Sequence, residues 1–254
     1  VFNNSKIFKY IILLIVLSLI SLWPFFKKGY FQSHDGEWMV IRFSAFHQAL
    51  RSGQFPVRFV DRLNNNYGYP VFNYLYPMPF YLAEIPKLIG FNFTQSIKLV
   101  FILSTVISAI AMYWALSIKF SPTASLVGST LYIFSPYRFL DNYVRGSLGE
   151  IVSFVFLPLI LGCIFQVEKG NKKYFPLLSA SVAGLILSHN VIAFFSIPVF
   201  ELFFSSNSSF CIAIHFIINK FINIILLRKS FNKFILVFPD SFDKIACYAN
   251  IKVS

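Results

Sequence analysis

Residues 7–26, IFKYIILLIVLSLISLWPFF, form one apolar run with Lys6 and Lys9 at its start and Lys27-Lys28 behind it. About 20 residues rising 1.5 Å each reach ~30 Å, the thickness of a bilayer core. The bulky SLWPFF end lacks the small residues of a signal-peptide cleavage site, so the run reads as an uncleaved first span with a cytoplasmic N-terminus. Further apolar runs at about 97–118, 123–136, 149–168 and 174–201, with another at 210–227, repeat the pattern. The expected fold is therefore all-α, a polytopic bundle of about five to seven membrane helices.

Composition supports lipid as the solvent. Of 254 residues, 57% are apolar and 13% charged, about half the charge of a soluble domain. The net charge of +12 is spread between apolar runs instead of forming a basic stripe. That suits membrane-flanking cations and anionic headgroups, and no nucleic-acid partner is expected. Cys163, Cys211 and Cys247 lie far apart without a CxxC, which implies neither a disulfide framework nor a zinc site.

The polar segment 27–70 is expected to be the first extracytoplasmic loop. Within it, Glu37 to Arg51 has helical periodicity, with Met39, Phe43, Phe46 and Leu50 on one face and Glu37, Ser44, Gln48 and Arg51 on the other. Gly53 and Pro56 end this helix, which is expected to lie in the membrane interface. Residues 71–90 are apolar but hold three prolines and Glu84, so a span and a re-entrant hairpin both remain open. Lys169, Lys172 and Lys173 favour the hairpin. If 71–90 does not cross, these lysines fall on the cytoplasmic side and 27–96 and 137–148 share the outer side. After Ser205 the texture changes, and 206–254 reads as an atypical tail, either one further span or a truncated or frame-shifted end.

Several residues carry possible chemistry. Asp35, leaving the first span, can act as a general base or cap the helix that follows. Glu37 can bind substrate or serve the first-turn dipole, and His47 can bind substrate or be an ordinary interfacial side chain. Arg58 and Arg62 match phosphate oxygens, of a substrate or of lipid headgroups. Arg138, Asp141 and Arg145, at i, i+3 and i+7, would form a compensated charge row on one helix face. Glu150 opens a span, where a carboxylate usually faces the bundle interior. These four can pin two helices or contribute to a phosphate or acceptor site. Ser188, His189 and Asn190 interrupt an apolar run, where helix–helix hydrogen bonding is the commoner outcome. No cofactor is expected. A divalent metal at His34, Asp35 and Glu37 is disfavoured because alternating residues at a helix start converge poorly. Gly-rich phosphate loops, GxSxG and HExxH are missing, which leaves ATP-driven transport and zinc peptidase chemistry without support.

Four blocks in order, HDGEWMVIRFSAFHQALRSGQFPVRF, YGYPVFNYLYPMPFYL, SPYRFLDNYVRGSLGEIVSFVFLPLIL and LSHN, resemble bacterial membrane proteins labelled 6-pyruvoyl-tetrahydropterin synthase-related. The likeness runs from about residue 7 to 201. The soluble pterin enzyme clusters its zinc histidines, whereas His34, His47, His189 and His215 are scattered here. The resemblance instead implies similarity to GT-C type membrane glycosyltransferases. It implies a GT-C-like domain over 1–205 in the bacterial plasma membrane, a polyprenyl-phosphate-linked sugar as donor, and Asp35 as the acidic residue of the first outer loop. It also implies a longer protein of which this chain is the N-terminal portion. The alternative is a non-catalytic membrane protein, a lipid or polysaccharide transporter or an assembly scaffold.

Overall fold

A computed structural model describes residues 4–204; the expected span at 210–227 and the tail lie outside the described residues. Among them there is no strand, only a single bridge between Val60 and Tyr69, and nine α-helices carry the fold. They are α1 (Asn4–Ser21), α2 (Gly36–Arg51), α3 (Met78–Leu88), α4 (Phe93–Ser117), α5 (Pro122–Ile133), α6 (Pro136–Phe139), α7 (Leu148–Glu168), α8 (Phe175–Ser188) and α9 (Asn190–Phe204). A π-helical turn, Leu140–Arg145, joins α6 to the loop before α7.

Two of these helices, α4 and α7, are long and apolar enough to cross a membrane. They pack along each other at the centre, with α8 against α7, α5 against α4, and α1 against α4 and α5. Asn92 and Gln95 start α4 with a reciprocal capping box. The run at 7–26 is not one helix: α1 stops at Ser21 and a 3-10 turn takes Trp23–Phe26, because Pro24 supplies no N–H to a continuing helix. The run at 174–201 is also divided, with His189 in extended conformation (φ −161°, ψ 104°) between α8 and α9. The 11 residues of α3 reach only ~16 Å at 1.5 Å each, about half a bilayer core.

α2 forms where periodicity places it, but its apolar face meets protein. Met39, Phe43 and Phe46 join Phe80, Phe101 and Leu148 in the main core, and the helix packs on α3 and α4. The expected interfacial burial of that face is replaced by core burial, and Trp38 and Ile41 are the apolar residues left exposed. Two long-range bonds hold the first loop down. Lys98 Nζ donates to the Lys27 carbonyl at 2.6 Å, and the Tyr143 hydroxyl donates to the carbonyl of Ser21. α1 keeps an exposed stripe of Phe8, Ile12, Val16 and Ile20.

Candidate functional site

The start of α2 is stitched to the π-turn by two backbone bonds. His34 N–H donates to the Val144 carbonyl at 2.9 Å and Asp35 N–H to the Arg145 carbonyl at 2.8 Å. Gly146 makes the approach possible. Its φ is +67°, and a Cβ there would lie 2.6 Å from Ser33 Oγ and 2.9 Å from Gly36 N. A side chain is thus barred by both backbone conformation and space.

Asp35 does not cap α2. Ser33 Oγ accepts from Gly36 N–H at 3.1 Å instead, and the half-buried Asp35 carboxylate makes no capping bond. Of the two readings open for Asp35, the capping role belongs to Ser33. Glu37 stands exposed one turn along.

The charge row expected of Arg138, Asp141 and Arg145 does not form. The π-turn winds wider than an α-helix, so residues seven apart no longer share a face. Arg138 is 2% exposed, and none of its guanidinium nitrogens has a hydrogen-bond partner among the described residues. The rings of Tyr132 and Phe154 flank it, at 5.0 and 4.9 Å from Cζ, as a cation–π pair. Asp141 is fully buried, and neither carboxylate oxygen has a hydrogen-bond partner among the described residues. Burial, then the nearby Glu150 carboxylate, raise its pKa to about 8, against the opposing pull of Arg145 and Arg138.

Arg145 turns instead to Glu150, in the first turn of α7. Its guanidinium forms an ion pair with Glu150 Oε1 and donates to the Tyr137 hydroxyl at 2.8 Å, while that hydroxyl donates to Glu150 Oε2 at 2.6 Å. Burial and the Glu150 carboxylate push the Tyr137 phenol up to about 12. Glu150 is 3% exposed, so these contacts offset the cost of burying its charge. His189 Nε2 lies 3.8 Å from Glu150 Oε1. The His189 ring rests on Tyr76, centroids 4.9 Å apart, and Gly149 leaves room there because a Cβ would strike the Tyr76 ring and lie 2.6 Å from the Ser188 carbonyl.

Tyr137, Arg145, Glu150 and His189 line a cavity of ≈ 540 Å³ whose other wall is Val191, Ile192, Phe195 and Ser196 of α9. The fold therefore gathers Asp35, Arg138, Asp141, Arg145 and Glu150 around one junction. His47 is elsewhere. It lies three turns along α2, ~18 Å from Asp35 at 1.5 Å per residue, where its Nδ1 pairs with Glu84 Oε2 at 2.8 Å. Arg58 sits on a separate segment whose N–H is held by Gln54 Oε1 at 2.6 Å. His189, expected to serve helix–helix hydrogen bonding, lines this cavity. The polar SHN triplet inside an apolar run was its signal, but a packed helix gives the same signal. Among the described residues, no group of three His, Cys, Asp or Glu side chains is placed to hold a metal.

Over the described residues these observations define an all-helical protein with two helices long and apolar enough to cross a membrane, and a part-polar cavity at the first turn of one of them. No family model matches the chain, and no solved structure matches it. An uncharacterized protein of Lactococcus lactis subsp. cremoris (strain MG1363) is 22% identical over 197 residues, covering 75% of this chain and 32% of that protein. The chain thus spans about a third of the relative's length.

Proposed function

We propose that this chain is part of a multi-pass membrane glycosyltransferase of GT-C type, using a polyprenyl-phosphate-linked sugar on the extracytoplasmic side of a bacterial plasma membrane. The reading rests on one observation: the loop that opens α2 and the segment carrying Arg145 and Glu150 are bonded together, with the Asp35 carboxylate unused by the cap. Asp35 takes the proton from an acceptor hydroxyl as that oxygen attacks the anomeric carbon. Arg145, whose side chain is 37% exposed, offers its remaining N–H groups to the departing phosphate. The exposed stripe of α1 and the exposed Val191, Phe195 and Val199 of α9 suit contact with lipid.

The test is Asp35→Asn in the full-length protein, assayed for hexose transfer from a polyprenyl-phosphate donor. Transfer is abolished while expression and membrane insertion are kept; surviving activity overturns the base assignment. Cysteines placed at Gln32 and Val144, both exposed, are labelled from the same side of the membrane if the two loops share one site.

A second reading, a non-catalytic transporter or scaffold, draws on the internal pairing of Arg145 with Glu150, which a purely structural charge cluster would also show. Binding of the lipid-linked sugar without turnover favours it.

A further inference from the structure

The gap between His189 and Glu150 has a defined chemistry. The Ile192 N–H donates to His189 Nδ1 at 3.2 Å, which assigns the neutral ring's proton to Nε2. Nε2 lies 3.8 Å from Glu150 Oε1, too far for a direct hydrogen bond. Oxygens of a carboxylate accept about two hydrogen bonds each; on Oε1 the Arg145 guanidinium uses one. A single oxygen atom can stand at hydrogen-bond distance from both His189 Nε2 and Glu150 Oε1. To do so it must accept from the first and donate to the second, and a hydroxyl does both.

Charge narrows the class further. The cavity holds one guanidinium and one carboxylate, already paired, with a neutral imidazole and a phenol, so its polar end is balanced and suits an uncharged group. The opposite wall is apolar except for Ser196, and its apolar part continues outward. Val191, Phe195 and Val199, at i, i+4 and i+8, form an exposed stripe that begins in the cavity and runs along α9. A polar end closed by donors and acceptors, followed by an apolar track, is complementary to an amphiphile.

We infer that the cavity binds a hydroxyl-headed amphiphile, a lipid-linked polyol, with one hydroxyl bridging His189 Nε2–H and Glu150 and the tail lying on the Val191–Phe195–Val199 stripe. This deepens the transferase reading, on which it rests for the source of such a lipid: the amphiphile is the hydroxyl-bearing acceptor of that reaction, distinct from the donor whose departing phosphate meets the exposed N–H groups of Arg145. His189 and Glu150 are binding residues of the head group, and the helix break at His189 is what turns the imidazole into the cavity.

The test uses the full chain in phosphatidylcholine nanodiscs and two photoreactive probes with the same diazirine-bearing dodecyl tail, one a β-glucoside and one a phosphate. The glucoside labels peptides from the 190–200 segment, and the phosphate labels them less. His189→Leu and Glu150→Gln each reduce glucoside labelling about tenfold, the loss of one hydrogen bond to a charged or strongly polar partner. Val191→Trp, at an exposed lining position, blocks it sterically and keeps the test decisive if Glu150→Gln does not fold. Equal labelling of wild type and folded variants, labelling confined to other segments, or preference for the phosphate overturns the inference. Labelling needs no turnover. Wild-type protein that labels as expected but shows no transfer therefore counts against the transferase reading alone.

Discussion

The backbone N–H of Asp35 donates to the carbonyl of Arg145 at 2.8 Å, joining the start of α2 to the end of the π-turn. Everything polar in the candidate site is arranged about that bond. It fixes the Asp35 carboxylate relative to the segment from which Arg145 reaches Glu150.

Gly146→Ala attacks the junction directly. The residue keeps φ +67° and its new Cβ meets Ser33 Oγ and Gly36 N. A non-glycine residue in strained left-handed backbone costs about 1–3 kcal/mol. A lower Tm in detergent, together with faster proteolysis in the 27–35 loop, is the expected outcome.

Asp35 and Ser33 separate function from capping. Ser33→Ala removes the acceptor of the Gly36 N–H and costs about 1 kcal/mol of stability. Asp35→Asn leaves the melting temperature where it was and removes transfer. A Tm loss in Asp35→Asn equal to that of Ser33→Ala would return Asp35 to a capping role.

The Arg145–Glu150 pair behaves differently when one partner or both are removed. Arg145→Met leaves the buried Glu150 carboxylate without its cation. The cost falls below the ~3–5 kcal/mol of a fully buried pair, because the Arg145 side chain is 37% exposed. The double variant Arg145→Met/Glu150→Gln is more stable than Arg145→Met alone. Thermal melts of wild type, Arg145→Met, Glu150→Gln and the double variant form the cycle.

Asp141 makes stability fall as pH rises. Its pKa is about 8 in the fold, against an ordinary carboxylate value in the unfolded chain. Below about pH 4 both states hold the proton and the contribution is complete. Between about pH 4 and 8 only the folded state holds it, so stability is lost progressively and levels off above the folded pKa. Asp141→Asn, isosteric and always neutral, keeps its melting temperature between about pH 5 and pH 9 while wild type declines. A flat wild-type profile would show that Asp141 is ionised in the fold.

Much of the helix layout was legible from local pattern. α2 appears at Gly36–Arg51 against an expectation of 37–51, and α4 and α7 fall on two of the apolar runs. These segments carry their own signals, periodicity in α2 and sustained apolarity in the others, and such signals survive packing. The breaks within the first and last described runs were not legible. Pro24, whose missing N–H ends α1, lies inside an otherwise apolar run, and His189 leaves the helix where its ring rests on Tyr76. Apolarity averages over such points.

Sequence by itself determined that the described residues are helical and rich in apolar runs, and that Asp35 and Glu150 are candidates for chemistry. Spacing and side-chain type determine these locally, without reference to distant partners. Tertiary structure alone decided which charges meet. The π-turn took Arg145 out of a row with Arg138 and Asp141 and gave it to Glu150, Gly146 let the two loops bond backbone to backbone, and Ser33 released Asp35 from capping. The bonds from His34 and Asp35 to Val144 and Arg145 join residues far apart in the chain, and the local contacts of Ser33 with Gly36 and of Arg145 with Glu150 sit at that junction, where burial and steric fit, not local propensity, set the energy.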